Sequence, residues 1–173
     1  WGTPPLLGRT KEKESEPKKL VLIDAHAILH RAYHALPQFS NSRGEPTGGL
    51  YGLAAMLIKI ITTLRPDYMA AAYDLPKPTF RHEAYKDYKA GRAKADDALV
   101  AQMKRSREVF EAFNIPIYDK EGFEADDVLG TIVSQVKSKK LKVKSYDVNI
   151  VIASGDMDAL QLVDGKKVQV FTL

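Results

Sequence analysis

Three acidic side chains within four consecutive residues form the part of the sequence best suited to chemistry. Glu124, Asp126 and Asp127 lie in the stretch from Glu121 to Gly130, where apolar residues at helical spacing follow them. They are therefore predicted to lie in or just before a first helical turn, where one carboxylate is ordinary. Three neighbouring carboxylates raise one another's pKa unless a cation lies between them. Alone, the stretch fits a divalent-metal site and a solvated acidic turn equally well.

Four further aspartates come at the ends of predicted strands. The apolar runs Leu20–Ile23, Tyr68–Tyr73 and Asn149–Ala153 are typical of strands buried in a sheet. The aspartates at or just after their carboxyl ends are Asp24, Asp74, Asp156 and Asp158. One aspartate at such a position is usually a turn or capping residue. Four of them, together with the acidic helix start, fit that explanation poorly.

The order of the predicted elements indicates the fold class. The remaining elements are a helix after Asp24 that ends near Pro37, a helix over Leu50–Leu64, a helix from Asp96, an edge strand at Ile115–Tyr118, a helical run at Ala159–Val163 and a final strand at Val168–Leu173. Alternating strands and helices predict a three-layer α/β/α domain with a mainly parallel central sheet. Ligands bind at the carboxyl ends of such strands, near the switch in strand order. All seven carboxylates should therefore meet at one edge.

Length and composition are those of one globular domain. A chain of 173 residues is long enough for one well-packed core. No apolar run reaches the length of a membrane span, and the absence of cysteine excludes disulfides and thiolate metal sites. We expect residues 1–19 to be a disordered leader, tag remnant or linker, and residues 20–173 to form the domain.

A cluster of carboxylates without thiolates selects hard cations. Such oxygens bind Mg²⁺ or Mn²⁺ in preference to zinc, and several of them can hold two ions a few Å apart. Sites of that kind act mainly on phosphoesters, whereas a glycosidase needs only two acids. Neither of the glycine motifs G-x-x-x-x-G-K-S/T and G-x-G-x-x-G occurs in the sequence. The phosphate must therefore be held by side chains.

The segment that follows Asp74 carries interleaved basic and aromatic side chains. These are Arg81, Tyr85, Lys86, Tyr88, Lys89, Arg92 and Lys94. Cations contact a nucleic-acid backbone, while aromatic rings stack on unpaired bases. Taken alone, the segment is more typical of a solvated charged helix. Its position directly after a strand-end aspartate favours nucleic-acid binding.

Three histidines form a competing candidate for a metal site. His26, His30 and His34 recur at every fourth residue and so share one face of a predicted helix. That spacing could form a zinc or nickel site. Exposed histidines on a helix are more often ordinary surface residues, and no HExxH motif is present. We therefore do not expect them to bind a metal.

Five motifs in order give the sequence a specific resemblance. They are LVLIDAHAILHRAYHALP, SRGEPTGGLYG, YDLPKPTFRHEAYKDYKAGR, GFEADDVLG and SGDMDALQLV. From about Lys19 to Leu173 the chain resembles the 5′-nuclease (flap endonuclease-like) family, in particular the N-terminal 5′→3′ exonuclease domain of bacterial DNA polymerase I. The resemblance implies a PIN-like or resolvase-like core. It further implies that 5′ flaps and nicked duplexes are cut by a two-metal-ion mechanism in DNA replication and repair.

The resemblance also implies roles for individual residues. The positions that match the family's metal-site carboxylates are Asp24, Asp74, Glu124, Asp126, Asp127, Asp156 and Asp158. Lys89 and Arg92 match basic residues of the gateway that engages the scissile phosphate. Arg31 matches an arginine near the active site, and Tyr88 matches a residue that stacks on the terminal bases.

Partners and setting follow from the same resemblance. The implied cofactor is Mg²⁺ or Mn²⁺, with two ions in the complete site. The implied substrates are DNA with a 5′ flap, a nick or a 5′ end, and RNA primer–DNA hybrids. We expect a monomer that acts on DNA in the bacterial cytoplasm, without a membrane partner and with a polymerase domain on the same parent chain.

Two departures from the family pattern change these expectations. Ala25 stands where members usually have glycine after the first aspartate, and we expect only a slight local adjustment. Members continue past the last strand into another aspartate pair and a helical motif that grips duplex DNA. We therefore expect the C-terminal helical DNA-binding region to be missing, and Asp156 and Asp158 to hold the second metal incompletely. The fragment should then bind metal weakly and cleave poorly.

The residues leave two other functions open. A non-catalytic nucleic-acid-binding module predicts salt-sensitive DNA binding that EDTA does not affect. A metal-dependent RNase of PIN-like architecture is the other, although the segment FRHEAYKDYKAGR argues against it. Comparing the cleavage of RNA and of flap DNA distinguishes that enzyme from the flap nuclease.

Overall fold

Five strands and five α-helices build the part of the chain that the structure describes. The computed structural model describes residues 16–85, 87–88, 91, 95–138 and 147–172. The strands are β1 (Lys18–Asp24), β2 (Tyr68–Ala72), β3 (Ile117–Tyr118), β4 (Val148–Ala153) and β5 (Val168–Phe171). The helices are α1 (Ala25–Ala35), α2 (Gly48–Leu64), α3 (Phe80–Ala84), α4 (Asp97–Ala112) and α5 (Ala125–Lys137), with a 3₁₀ helix at Met157–Leu162. Among the helices of this described part, none is long and apolar enough to cross a membrane.

The strands form one parallel sheet in the order β3-β2-β1-β4-β5. Every pairing between neighbouring strands is parallel, which confirms the predicted α/β class. The chain extends from β1 to β3 in one direction and then returns to add β4 and β5 on the other side. The switch in strand order therefore lies beside β1. β3 is an edge strand, as the proline at position 116 predicts.

Strand β1 shows how both faces of the sheet become apolar. Val21 and Ile23 are fully buried against the layer that contains α1, α2 and α4. Leu22 is fully buried on the opposite face, in the cluster that includes Leu129 of α5. Side chains alternate along a strand, so a strand covered on both faces is a continuous apolar run. The three layers are thus α/β/α, as predicted.

Helix α1 follows the first aspartate and is positioned by close packing against α2. A Cβ added at Gly52 would lie 2.9 Å from the Ala32 Cβ, so the two helices approach at a glycine. The N-terminus of α2 is capped from α4, since the buried Gln102 Oε1 accepts the N–H of Gly49 at 2.7 Å and of Leu50 at 3.2 Å. These contacts fix where α1 presents its side chains.

The start of the domain differs from the prediction. Strand β1 begins at Lys18 and not at Leu20, because Lys18 and Lys19 pair with β4. The Lys18 side chain also donates to Asp67 at 2.7 Å. The last two residues of the predicted leader therefore belong to the sheet, and residues 1–15 of that leader lie outside the described part of the chain.

Two short elements also depart from the predictions. Helix α3 lies in a segment without an apolar period, and none of its five residues is buried. A reciprocal capping box between Thr79 and His82 begins it, so local hydrogen bonds and not burial define this helix. The helical run expected at Ala159–Val163 is a 3₁₀ helix that starts earlier, at Met157.

The alanine after the first aspartate fits without strain, as expected. Ala25 is buried and opens α1. Within the described residues, positive φ at non-glycine positions occurs at Arg65 and Asn114 only. Position 25 therefore does not need the conformational freedom of glycine.

Candidate metal centre

All seven acidic side chains singled out in the sequence line one cleft. It has a volume of about 1310 Å³ and lies at the carboxyl ends of β1, β2 and β4, where the strand order switches. The N-terminus of α5 and the 3₁₀ helix reach the same edge. The carboxylates in its lining are Asp24, Asp74, Glu124, Asp126, Asp127, Asp156 and Asp158. The topological argument from the sequence therefore located the cleft correctly.

Three of these carboxylates are close enough to share one ion. One oxygen each from Asp126, Asp156 and Asp158 lie within 4.8 Å of one another. Metal–oxygen distances of about 2.0–2.6 Å place oxygens on opposite sides of one ion about 4–5 Å apart. Asp156 is oriented by its own turn, since its Oδ1 accepts the Asp158 N–H at 3.0 Å. The donor set and its spacing fit a divalent cation.

The raised pKa of Asp126 also favours a cation at this cluster. The pKa of Asp126 is raised from 3.8 to about 6, first by burial and then by the negative charges of Asp24 and Asp156. Ionised Asp126 is therefore unfavourable in this cluster as long as no positive charge is near. A bound cation would remove that penalty.

Asp24 lies at the base of the cleft and is buried. Its Oδ1 caps α1 by accepting the Ala27 N–H at 3.0 Å, and its Oδ2 accepts the Ser154 hydroxyl at 3.0 Å. Burial raises the pKa of Asp24 above its ordinary value, although these hydrogen bonds oppose the change. Asp24 thus joins α1 to the segment that follows β4.

Asp74 connects two elements of the site and contacts a histidine. Its Oδ1 accepts the backbone N–H of Ala125, the first residue of α5, at 2.7 Å. Its Oδ2 lies 3.1 Å from the Nδ1 of His26. Sequence reasoning grouped His26 with the surface histidines and missed this contact. The available signal was its position in the first turn of the helix after a strand-end aspartate, which directs it to the same edge.

The three histidines of α1 do not form one site. His26 contacts Asp74, whereas the Nε2 atoms of His30 and His34 lie 3.2 Å from each other. The ring centroids of His30 and His34 are 4.4 Å apart. The prediction that all three histidines lie on one helix is therefore confirmed, but their side chains lie in two different environments.

Glu124 and Asp127 are engaged with side chains from the segment after β2. Arg81 donates to Asp127 through both terminal nitrogens, at 2.6 and 2.7 Å. This ion pair is the main reason that the pKa of Asp127 is lowered. Glu124 accepts the Tyr88 hydroxyl at 3.1 Å. The cleft therefore contains both the three-carboxylate group and a second, ion-paired group.

Of the other residues expected to act in the site, some lie at the cleft or on the surface, and others lie outside the described part of the chain. Arg31 lines the cleft and packs beside Gly155, where an added Cβ would lie 3.7 Å from the Arg31 Cδ. Tyr85 is exposed. The predicted DNA-binding residues that lie outside the described part of the chain are Lys86, Lys89, Arg92 and Lys94.

Comparison with known proteins gives related sequences. DNA polymerase I of Chloroflexus aurantiacus is 43% identical over 147 residues, which are 84% of this chain and 15% of that protein. DNA polymerase I of Bacillus subtilis is 40% identical over 152 residues, covering 88% of this chain and 16% of the relative. The 5′-3′ exonuclease of Aquifex aeolicus is 38% identical over 146 residues, covering 84% of this chain and 48% of the relative. The chain thus spans a small share of the polymerases and about half of the exonuclease.

Solved structures share the fold. The T5 5′-exonuclease with bound zinc superposes with a TM-score of 0.63 at 21% identity, covering 90% of this chain and 55% of that chain. A T5 flap endonuclease in a pseudo-enzyme–product complex with DNA and metal ions gives a TM-score of 0.61 at 20% identity, with the same coverage.

The family assignment rests on nearly the whole described domain. The profile described as the N-terminal resolvase-like domain of 5′-3′ exonucleases matches residues 19–172, from the second residue of β1 to the residue after β5. Relatives near 40% identity match the same region. The chain belongs to the family of 5′-3′ exonuclease N-terminal resolvase-like domains.

Proposed function

We propose that the chain is the catalytic core of a divalent-metal-dependent 5′→3′ exonuclease and structure-specific 5′-flap endonuclease. Its reaction is the hydrolysis of phosphodiester bonds in DNA during replication and repair. The observation that carries the proposal is the convergence of seven carboxylates in one cleft at the switch in strand order. Membership of the exonuclease family supports it.

The residues proposed to hold one Mg²⁺ or Mn²⁺ ion are Asp126, Asp156 and Asp158, because their oxygens already lie within 4.8 Å of one another. An oxygen-only donor set favours these hard cations. Asp24 and Asp74 line the same cleft and are proposed to contribute to the other ion of a two-ion site. When bound, such ions polarise the phosphodiester and lower the pKa of the attacking water.

The residues proposed to hold the substrate come from the segment after Asp74. Arg81 and Tyr88 both line the cleft, where a phosphodiester that approaches the carboxylates would pass. Tyr85 is exposed, which suits stacking on an unpaired base. The resemblance alone supports roles for Lys89 and Arg92 at the scissile phosphate.

The proposed substrates are DNA with a 5′ flap, a nick or a 5′ end, and RNA primer–DNA hybrids. The names of the relatives support a DNA substrate, since they are DNA polymerase I and 5′-3′ exonuclease. A polymerase domain on the same parent chain is proposed for the same reason. The bacterial cytoplasm, with DNA as the site of action, is the proposed setting.

Cleavage of a labelled 5′-flap DNA tests the proposed function. The chain is incubated with the substrate in Mg²⁺, in Mn²⁺ and in EDTA, beside an Asp126→Asn variant. We expect slow cleavage that needs the metal and is lost in the variant, because Asp126 belongs to the three-carboxylate group. Cleavage that is unchanged in EDTA or in the variant would refute the proposal.

Two further outcomes support the alternative functions. Salt-sensitive DNA binding without cleavage, unchanged by EDTA, is the result expected for a non-catalytic binding module. Faster cleavage of single-stranded RNA than of flap DNA is the result expected for a PIN-like RNase. Either result would overturn the assignment as a flap nuclease.

A further inference from the structure

Asp127 differs from the three clustered carboxylates in what its oxygens contact. Arg81 donates to Oδ2 at 2.6 Å and to Oδ1 at 2.7 Å. Oδ2 also accepts the backbone N–H of Glu124 at 2.9 Å. Protein donors thus occupy three of the roughly four lone-pair positions of this carboxylate. One position on Oδ1 is left, so a cation that used both oxygens of Asp127 would have to displace the guanidinium.

The neighbouring residue Asp126 has the opposite surroundings. Its carboxylate oxygen lies within 4.8 Å of oxygens from Asp156 and Asp158. Successive residues of a helix point about 100° apart around its axis. Asp126 and Asp127 therefore face different sides of the first turn of α5, and one of them faces the carboxylates while the other faces Arg81.

Arg81 is held in place but keeps hydrogen-bonding capacity. Its guanidinium carbon lies 4.6 Å from the centroid of the Phe80 ring, and two of its five N–H donors are used by Asp127. The side chain lines the cleft and is 31% exposed. The remaining donors can therefore bind an anionic oxygen without breaking the pair with Asp127.

We propose that Asp127 is a positioning residue, which holds Arg81 at the cleft for a phosphate of the DNA backbone, and that it does not ligate the metal. The proposal rests on the proposed nuclease function, because it takes a substrate phosphate as the ligand of Arg81. It gives Asp127 a different role from the metal-site carboxylate that the family resemblance implies. The paired geometry needs the planar fork of arginine, which lysine cannot supply.

Manganese binding distinguishes a positioning residue from a metal ligand. The chain and its Asp127→Asn and Asp126→Asn variants are titrated with Mn²⁺, and the free ion is followed by its EPR signal. We expect Asp127→Asn to keep its affinity within about threefold and Asp126→Asn to lose at least about tenfold. A loss in Asp127→Asn as large as that in Asp126→Asn would overturn the proposal.

DNA affinity shows whether Asp127 acts through Arg81. Binding of a 5′-flap DNA is measured in EDTA at fixed salt for Asp127→Asn, Arg81→Gln and the double variant. Loss of a negative charge alone strengthens binding to DNA phosphates, so weaker binding by Asp127→Asn reports misplaced Arg81. We expect each single variant to bind about fivefold more weakly, and the double variant no more weakly than Arg81→Gln. Additive losses, or tighter binding by Asp127→Asn, would contradict the proposal.

A charge-conserving variant covers the case in which Asp127→Asn fails to fold. Arg81→Lys keeps the positive charge but loses the bidentate fork, so we expect it also to bind the flap DNA more weakly. Unchanged affinity in Arg81→Lys would count against the proposal. These readouts measure binding and not cleavage. A chain that shows the expected pattern yet cuts no DNA would refute the nuclease activity and still support the pairing role of Asp127.

Discussion

The Asp74 carboxylate accepts the backbone N–H of Ala125 at 2.7 Å, although the two residues are far apart in the chain. Ala125 is the first residue of α5, and the N–H groups of a first helical turn have no partner within the helix. A side chain that follows β2 therefore caps the helix that carries Asp126. This contact fixes the distance between two parts of the candidate metal centre.

Replacing His26 with alanine is expected to weaken metal binding. The Nδ1 of His26 lies 3.1 Å from Asp74 Oδ2 and orients the carboxylate whose other oxygen caps α5. Losing a partner that orients a carboxylate near the metal costs roughly tenfold in affinity. The measurement is the Mn²⁺ dissociation constant of the His26→Ala variant.

His34→Ala is the matched control for His26→Ala. His34 lies on the same helix and lines the same cleft, but its ring contacts His30 and Tyr33. We expect its Mn²⁺ affinity to stay within about twofold of the unmodified chain. Equal losses in the two variants would show that α1 as a whole, and not the contact with Asp74, supports the site.

Without metal, Asp126 is expected to destabilise the folded protein at neutral pH. Its pKa is raised from 3.8 to about 6, so between these values the folded state binds more protons than the unfolded state. In EDTA the contribution of Asp126 to stability should therefore fall as the pH rises from about 4 to above 6. Asp126→Asn should be the more stable form at pH 7, by on the order of 1 kcal/mol after discounting for solvent screening, and by about 2–4 °C in Tm.

Most of the difference should disappear near pH 4, where Asp126 is protonated in the folded state and partly protonated in the unfolded state. Saturating Mg²⁺ should reverse the order at pH 7, because the ion binds and stabilises only the chain with an intact cluster. Thermal unfolding at pH 4 and pH 7, with EDTA and with Mg²⁺, measures all four conditions. A variant less stable than the unmodified chain in EDTA at pH 7 would contradict the electrostatic explanation.

The location of the site could be predicted from the sequence, because it depends on topology. Asp24 is the last residue of β1 and Asp126 lies in the first turn of α5, and in a parallel sheet such positions share one edge. Periodicity identified those elements, so the cleft followed. Side-chain pairs such as Arg81–Asp127 have no periodic signal, since they join residues far apart in sequence whose distance depends on the packed fold.

The ends of strands and helices that are defined by hydrogen bonds alone could not be predicted from the sequence either. Lys18 belongs to β1 through its pairing with β4, although a lysine does not look like part of a buried strand. Helix α3 buries no residue over Phe80–Ala84, so its sequence shows no apolar face. In both places the backbone and capping contacts define the element, and hydrophobic patterning reports only burial.

Gly52→Ala is expected to destabilise the domain. The new Cβ would lie 2.9 Å from the Ala32 Cβ and 2.9 Å from the Leu36 Cδ1, so α1 and α2 would have to separate. Overpacking of this kind outweighs the gain in helix propensity, which leaves a net loss of about 1–2 kcal/mol. Denaturant unfolding of the variant measures the loss.

Gly130→Ala is the control, because it places the same methyl group in another helix. Its Cβ would lie 3.5 Å from the Leu162 Cδ2, which is an ordinary van der Waals contact between α5 and the 3₁₀ helix. We expect it to stabilise the protein by up to about 1 kcal/mol through helix propensity. Changes of the same sign in both variants would show that the close approach of α1 and α2 is not what Gly52 provides.

Gln102→Leu is expected to remove the cap of α2. Gln102 Oε1 accepts the N–H of Gly49 at 2.7 Å and of Leu50 at 3.2 Å, which are bonds that a local N-cap side chain usually makes. Thr47 occupies the N-cap position but makes no such bond. Leaving two donors unsatisfied should cost about 2–3 kcal/mol in the free energy of unfolding. Thr47→Ala should change it by less than about 0.5 kcal/mol. A larger loss of unfolding free energy in Thr47→Ala than in Gln102→Leu would contradict this explanation. It would show that Thr47, and not Gln102 of α4, caps the N-terminus of α2.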